Sequence, residues 1–222
     1  MPMPWPKKTY AAFIFDMDGT LINSIASANR VWTRWARSHG LEPEPVLRVM
    51  HGVRAVETIR RLNVPGMDVE YEAAVLTQME IDDLDGIQPI NGAPALLRDL
   101  PPHRWAVATS APRELAIKRL AAAGVPQPEI LVTADDVTQG KPAPDCFLLA
   151  ARKLGVPATD SLVWEDTSAG VKAAEAAGAD VMVVSATHDK MFETRHPITV
   201  DYERLGVNID ASGRISLTER PT

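Results

Sequence analysis

The feature that most constrains this 222-residue chain is a series of apolar runs, each stopping at a polar or charged residue. "YAAFIF" stops at Asp16, "RWAVAT" at Ser110, "EILVTA" at Asp135, "SLVWE" at Asp166 and "DVMVV" at Ser185. Continuous apolar runs without alternation read as strands buried on both faces, the kind a parallel sheet contains. Between them, "PRELAIKRLAAAG", "PDCFLLAARKLG" and "SAGVKAAEAAG" carry helical spacing, and two of them end in a glycine followed by Val-Pro, a normal helix stop. Strands alternating with helices of about a dozen residues predict an α/β fold, a doubly wound, Rossmann-like parallel sheet with crossover helices.

Residues 22–88 break the alternation. "SIASANRVWTRWARSHG", "VRAVETIRRL" and "DVEYEAAVLTQMEIDDL" read as helices with no convincing strand between them. The chain therefore divides into a core of 1–21 and 89–222, and a helical insert, or cap, of 22–88. The exits of the insert, "GTLINS" and "GIQPINGA", are turn-rich and suited to hinges. Trp32 and Trp35, three apart, are expected to pack inside the insert, and Arg60-Arg61 to form a solvated face. From Asp201 onward the chain is polar around "DASGR" and reads as a weak edge hairpin or a partly disordered tail.

Composition excludes several classes. A formal charge of −6 describes an ordinary soluble protein and argues against a broad nucleic-acid surface, which needs excess Lys and Arg. A single cysteine, Cys146, lies in "CFLLAA" and reads as a buried, inert thiol; it allows no intrachain disulfide and no cysteine-based zinc site alone. No apolar run approaches about 18 residues, so no membrane span is expected. The start, "MPMPWPKKTY", lacks the apolar stretch of a signal peptide, and the simplest compartment is the cytoplasm.

Ligands of open α/β sheets bind outside the carboxyl ends of the strands. Asp16 and Asp18 end the first strand, Thr109 and Ser110 the second, and Glu165 and Asp166 a later one, while Lys141 in "GKPAPD" precedes a helix. If the strands are neighbours, four carboxylates converge, repel one another and need a cation. An all-oxygen donor set suits Mg²⁺ better than zinc or copper. Lys141 with two hydroxyls would hold a multi-oxygen anion such as phosphate. Metal beside phosphate suggests phosphoryl transfer. A carboxylate facing phosphorus can act as nucleophile, and a second, two residues on, as general acid and then base. Each motif alone has a plain structural alternative: Asp caps at a turn for Asp16 and Asp18, a solvated lysine at 141, helix capping at Thr109-Ser110, and a dipole-favoured acidic pair at Glu165-Asp166.

Taken in order, "DMDGT", "ATS", "GKPAPD" and "EDTSAG" resemble the four motifs of the haloacid dehalogenase-like hydrolases, and the insert resembles their small cap domain. The resemblance implies Asp16 as nucleophile and Asp18 as acid/base. It implies Mg²⁺ held by Asp16, the Asp18 backbone carbonyl and Asp166, with Glu165 in the same acidic pair. It assigns Thr109, Ser110 and Lys141 to phosphate. "HGVRAVETI" and "HRWAVATSAPRELAIKRL" are similar to glycerol-phosphate and 2-deoxyglucose-6-phosphate phosphatases. By that likeness the cap segment of His51, Gly52 and Arg54 closes over the substrate, Arg54 reaching sugar hydroxyls or phosphate charge. The partner implied is a small-molecule phosphate ester, with neither nucleic acid nor membrane, and the protein a monomer or weak homodimer.

Two rivals stand beside a sugar or polyol phosphatase. A β-phosphoglucomutase-like enzyme would return the phosphoryl group to sugar; such mutases carry a hinge histidine where Ala28 stands here. A non-catalytic sugar-phosphate sensor would bind without turnover, yet every catalytic position is filled. A dehalogenase would leave Asp18 without a task, and a phosphonatase would want a cap lysine, of which the insert has none. His39, His103, His188 and His196 lack partners at ligand spacing and read as structural or exposed.

Overall fold

The computed structural model describes residues 8–188 and 192–220; most of the proline-rich start read above lies outside them. Six parallel strands form the central sheet. Across it lie β6 (Leu131–Val132), β5 (Trp105–Ala108), β2 (Ala12–Phe15), β7 (Ser161–Glu165), β8 (Asp180–Val184) and β9 (Ile198–Thr199). From β2 the chain winds outward to β5 and β6 on one side, then returns to β7, β8 and β9 on the other, so β2 lies at the switch point of a doubly wound sheet.

The period-two geometry of a strand sends alternate residues to opposite faces, and both are apolar here. Phe13, Phe15 and Trp164 face α5 (Ala93–Asp99) and α6 (Arg113–Ala122) through Leu96, Leu115 and Leu120. Ile14, Val163 and Val183 face α7 (Asp145–Leu154) and α8 (Ser168–Ala176) through Phe147, Ala150 and Val171. Phe15 stacks on Trp164 with centroids 5.6 Å apart, which ties β2 to β7 one residue below their acidic ends.

The insert folds as α1 (Ile25–Ser38), α2 (Pro43–Met50), α3 (Ala55–Leu62) and α4 (Val69–Asp82). Val31, Trp32, Trp35, Ile59 and Leu76 form its own core. Helix α2 was not expected, because Pro43 and Pro45 look like turn residues; proline at the start of a helix costs nothing, as the N–H it lacks would be unpaired there anyway. The exits, read as turns only, also pair: β3 (Ile22–Asn23) lies antiparallel to β4 (Gln88–Pro89).

One expectation needs correction, and of the two readings of the C-terminal segment the hairpin around "DASGR" is the one observed. "YAAFIF" is not one strand, for β1 (Thr9–Tyr10) belongs to a second sheet, with Ala11 between it and β2. That sheet holds the C-terminal segment, which is ordered: β10 (Leu205–Ile209) and β11 (Ile215–Glu219) form a hairpin, and β1 adds to β11. Leu205, Ile215 and Leu217 bury the apolar side of the hairpin against the core. Just before it, the Tyr202 hydroxyl donates to the Thr20 carbonyl at 3.1 Å and braces the turn that follows Asp16. Among the described residues no helix is long and apolar enough to cross a membrane.

Candidate active site

The neighbouring ends of β2 and β7 bring the acids together. Asp16 follows β2, its N–H donating to the Trp164 carbonyl at 2.9 Å, and Glu165 ends β7. Asp16, Glu165 and Asp166 are all buried, with one oxygen of each within 4.8 Å of the others. Lys141 enters from the loop before α7, 1% exposed, and donates to Asp16 Oδ1 at 2.5 Å and Glu165 Oε1 at 2.7 Å. Glu165 has no oxygen to spare: Oε2 accepts from the N–H groups of Asp166 and Thr167, each at 2.7 Å, and from the Thr167 hydroxyl. It clamps the start of α8 to Lys141.

Two glycines make this crowding possible. Gly19 has φ +87°, and a Cβ there would lie 2.1 Å from Asp166 Oδ2; only glycine meets both demands. At Gly170, in the first turn of α8, a Cβ would lie 1.6 Å from Glu165 Oε1. The "DGT" and "SAG" of the sequence are therefore packing requirements of the acidic cluster itself.

Electrostatics follow burial. Desolvation lifts the Asp16 carboxyl well above the usual carboxylate range, with Lys141 pulling the other way. Desolvation works against the Lys141 ammonium, yet Asp16 and Glu165 hold it above the ordinary lysine value. Burial raises Asp166 to about 6, opposed by a hydrogen bond with His188 at 2.9 Å. Among the described residues, three carboxylates against one ammonium leave an excess of negative charge and an all-oxygen donor set, which fits a hard divalent cation.

The other sites named from sequence fall in two groups. Thr109, Ser110, Asp18, His51 and Gly52 line one cleft with Asp16 and Asp166. In it the Ser110 hydroxyl donates to the Gly52 carbonyl at 3.0 Å, and Thr109 Oγ1 accepts from the Ala111 N–H at 3.1 Å. Burial lowers the pKa of His51, with His188 adding to the effect. Arg54 lies elsewhere: it pairs with Glu57 and donates to the carbonyls of Val137 and Thr138, gripping the loop that leads to Lys141. A substrate contact from Arg54 is thus not what this arrangement presents, because its donors are already engaged on that loop. His188, expected to be structural or exposed, instead meets Asp166.

Three further residues were missed. Asp18 Oδ1 accepts from Ser24 Oγ at 2.5 Å and from Arg119 Nη1 at 3.1 Å, and Arg119 Nη2 reaches Glu80 Oε1 at 3.0 Å. Burial raises the Glu80 carboxyl, opposed by Arg119. A signal was present: Arg119 falls on the buried stripe of Leu115, Ala116 and Leu120, and Glu80 on that of Leu76 and Ile81. Opposite charges on two apolar stripes call for one another. Nothing comparable marks His188 in the sequence.

Fold and site together define an α/β enzyme with an acidic centre at the switch point of a parallel sheet. Residues 10–178 match the haloacid dehalogenase-like hydrolase family, and the chain belongs to it. Hexitol phosphatase A of Escherichia coli is 41% identical over 181 residues, covering 80% of this chain and 84% of that protein. Glycerol-1-phosphate phosphohydrolase 2 of Saccharomyces cerevisiae is 31% identical over 192 residues, covering 82% of this chain and 77% of its own. The crystal structure of a hydrolase from Pseudomonas syringae superposes with a TM-score of 0.70 at 28% identity, over 80% of this chain and 85% of that one.

Proposed function

We propose that this phosphoric monoester hydrolase is a Mg²⁺-dependent phosphatase acting on a small sugar or polyol phosphate through an aspartyl-phosphate. The observation that carries the proposal is Lys141 bridging Asp16 and Glu165 behind a cleft that Asp16 and Asp166 line together with Asp18, Thr109 and Ser110. The relatives named above act on hexitol and glycerol phosphates, which supports the substrate class.

Asp16 Oδ1 is held by Lys141, which aims the carboxylate and leaves Oδ2 as the attacking atom. An Oδ2–P bond forms as the ester P–O bond breaks, and Asp18 gives its proton to the departing alkoxide, releasing an alcohol. Asp18, now ionised, takes a proton from water; the water oxygen attacks phosphorus, the P–Oδ2 bond breaks, and phosphate leaves with Asp16 restored. Thr109, Ser110 and Lys141 bind the phosphate oxygens. Mg²⁺ held by Asp16, Asp166 and the Asp18 carbonyl would neutralise charge on the phosphoryl oxygens. Glu165 serves as the anchor of Lys141 and α8.

In this proposal residues 22–88 act as a cap that opens for substrate and closes to limit water. Ser110 to Gly52, Arg54 to the 137–138 carbonyls and Glu80 to Arg119 are the contacts of the closed position. The proposal includes a cytoplasmic location and a monomer or weak homodimer.

The test is phosphate release across a panel of hexitol and glycerol phosphates, with Mg²⁺ or with EDTA, using Asp16→Asn as the blank. Release that needs Mg²⁺ and vanishes in Asp16→Asn is expected. Equal release in EDTA, or turnover by Asp16→Asn, would sink the mechanism.

A further inference from the structure

The cleft beyond the acidic centre contains a charged pair outside the motifs. Arg119 and Glu80 have side chains 5% and 9% exposed, one from the core helix α6 and the other from the insert helix α4. Arg119 is shared between two carboxylates, Glu80 on one side and Asp18 on the other. Buried ion pairs add little net stability, since desolvation offsets much of the attraction. A role in the cleft explains the pair better than stability does.

Its chemistry constrains what can occupy that half of the cleft. Glu80 already neutralises Arg119, and no other Lys or Arg lines the cleft among the described residues. An ester bearing a second anion, a carboxylate or a distal phosphate, would enter this region with no counterion left for it. A hydroxyl fares differently, because it both donates and accepts. Glu80 Oε1 already accepts from Trp32 Nε1 at 3.3 Å and from Arg119, but its other oxygen takes no hydrogen bond among the described residues. Arg119 Nε is buried with no partner. Trp32 and Leu115 supply the apolar walls that carbon–hydrogen faces need.

We infer that Glu80, clamped on Arg119, is the specificity-determining residue that admits a neutral polyhydroxyl leaving group and rejects esters carrying a second anion. The inference rests on the phosphatase proposal and deepens it. It also leaves a bisphosphate without a distal site, which separates this enzyme from a mutase.

The test compares kcat/KM for three esters of matched length: glycerol phosphate, propyl phosphate and 3-phosphoglycerate. All three have poor leaving groups, so a defect confined to Asp18 lowers them alike. The wild type is expected to prefer glycerol phosphate to 3-phosphoglycerate by about 100-fold, the effect of one unpaired charge near a protein surface. Glu80→Gln, isosteric and neutral, should narrow that ratio by about tenfold and shrink the preference over propyl phosphate. Glu80→Asp, which keeps the charge, should keep the rejection. Wild-type rates on glycerol phosphate and 3-phosphoglycerate within about threefold of each other overturn the inference without any variant. So does a Glu80→Gln enzyme that loses the same factor on all three esters. Failure of the wild type on every ester, p-nitrophenyl phosphate included, would overturn the phosphatase proposal and this inference with it.

Discussion

Lys141→Met removes the ammonium that bridges Asp16 and Glu165 and keeps most of the apolar stem. The three side chains are 1%, 7% and 0% exposed, and the two contacts are 2.5 Å and 2.7 Å long. Removing one partner from a buried pair costs about 3–5 kcal/mol, because the other charge stays buried without compensation. For a chain of this size that is a fall in Tm of about 6–20 °C. The loss should also depend on pH. Burial already holds the Asp16 carboxyl above its ordinary range, and Lys141 is the main force opposing it. Without Lys141 the folded-state pKa rises further above the unfolded value, so the folded variant binds more protons than the unfolded chain. Stability then falls as pH rises between those two values. The variant should lie closer to the wild type at pH 5 than at pH 8. Urea unfolding followed by tryptophan fluorescence at both pH values measures this, Trp164 being the residue before Glu165. Phosphate release should drop by about 10²-fold or more. A destabilisation under about 1 kcal/mol, or one equal at both pH values, would refute the claim that Lys141 carries the charge balance of this cluster.

Gly19→Ala places a methyl 2.1 Å from Asp166 Oδ2 in a backbone with φ +87°, so it should cost about 1–3 kcal/mol and displace Asp166; thermal melting and phosphate release should both fall, and a variant with wild-type values on both contradicts the packing argument. Metal binding should weaken in acid. With Asp166 raised by burial to about 6, the metal-free protein loses stability as pH climbs from the unfolded carboxylate pKa to about 6, and Mg²⁺ selects the ionised form, so its addition should raise Tm more at pH 7.5 than at pH 5. Equal shifts at the two pH values would count against Asp166 as a ligand.

The strand and helix alternation and the four motifs were legible because each depends on local chemistry. Apolar runs ending in Asp16 or Glu165 declare buried strands with functional tips, and Gly19 and Gly170 declare crowding beside them. Helix α2 was hidden by its prolines, and β1 by its continuity with β2, since one apolar run cannot show where a chain changes sheets. Arg54 was misplaced because spacing does not reveal direction: it lies in the predicted segment, yet its guanidinium turns to the loop carbonyls.

What the residues determined by themselves is the kind of centre this chain builds. Carboxylates at the ends of buried strands need a cation, and that demand holds wherever the chain places them. Only the tertiary structure decided which charges meet. Asp18, Arg119 and Glu80 are distant in sequence and come from three different elements. The apolar stripes mark Arg119 and Glu80 as charges that need partners, but which partner each meets is set by how a helix of the insert packs on a helix of the core.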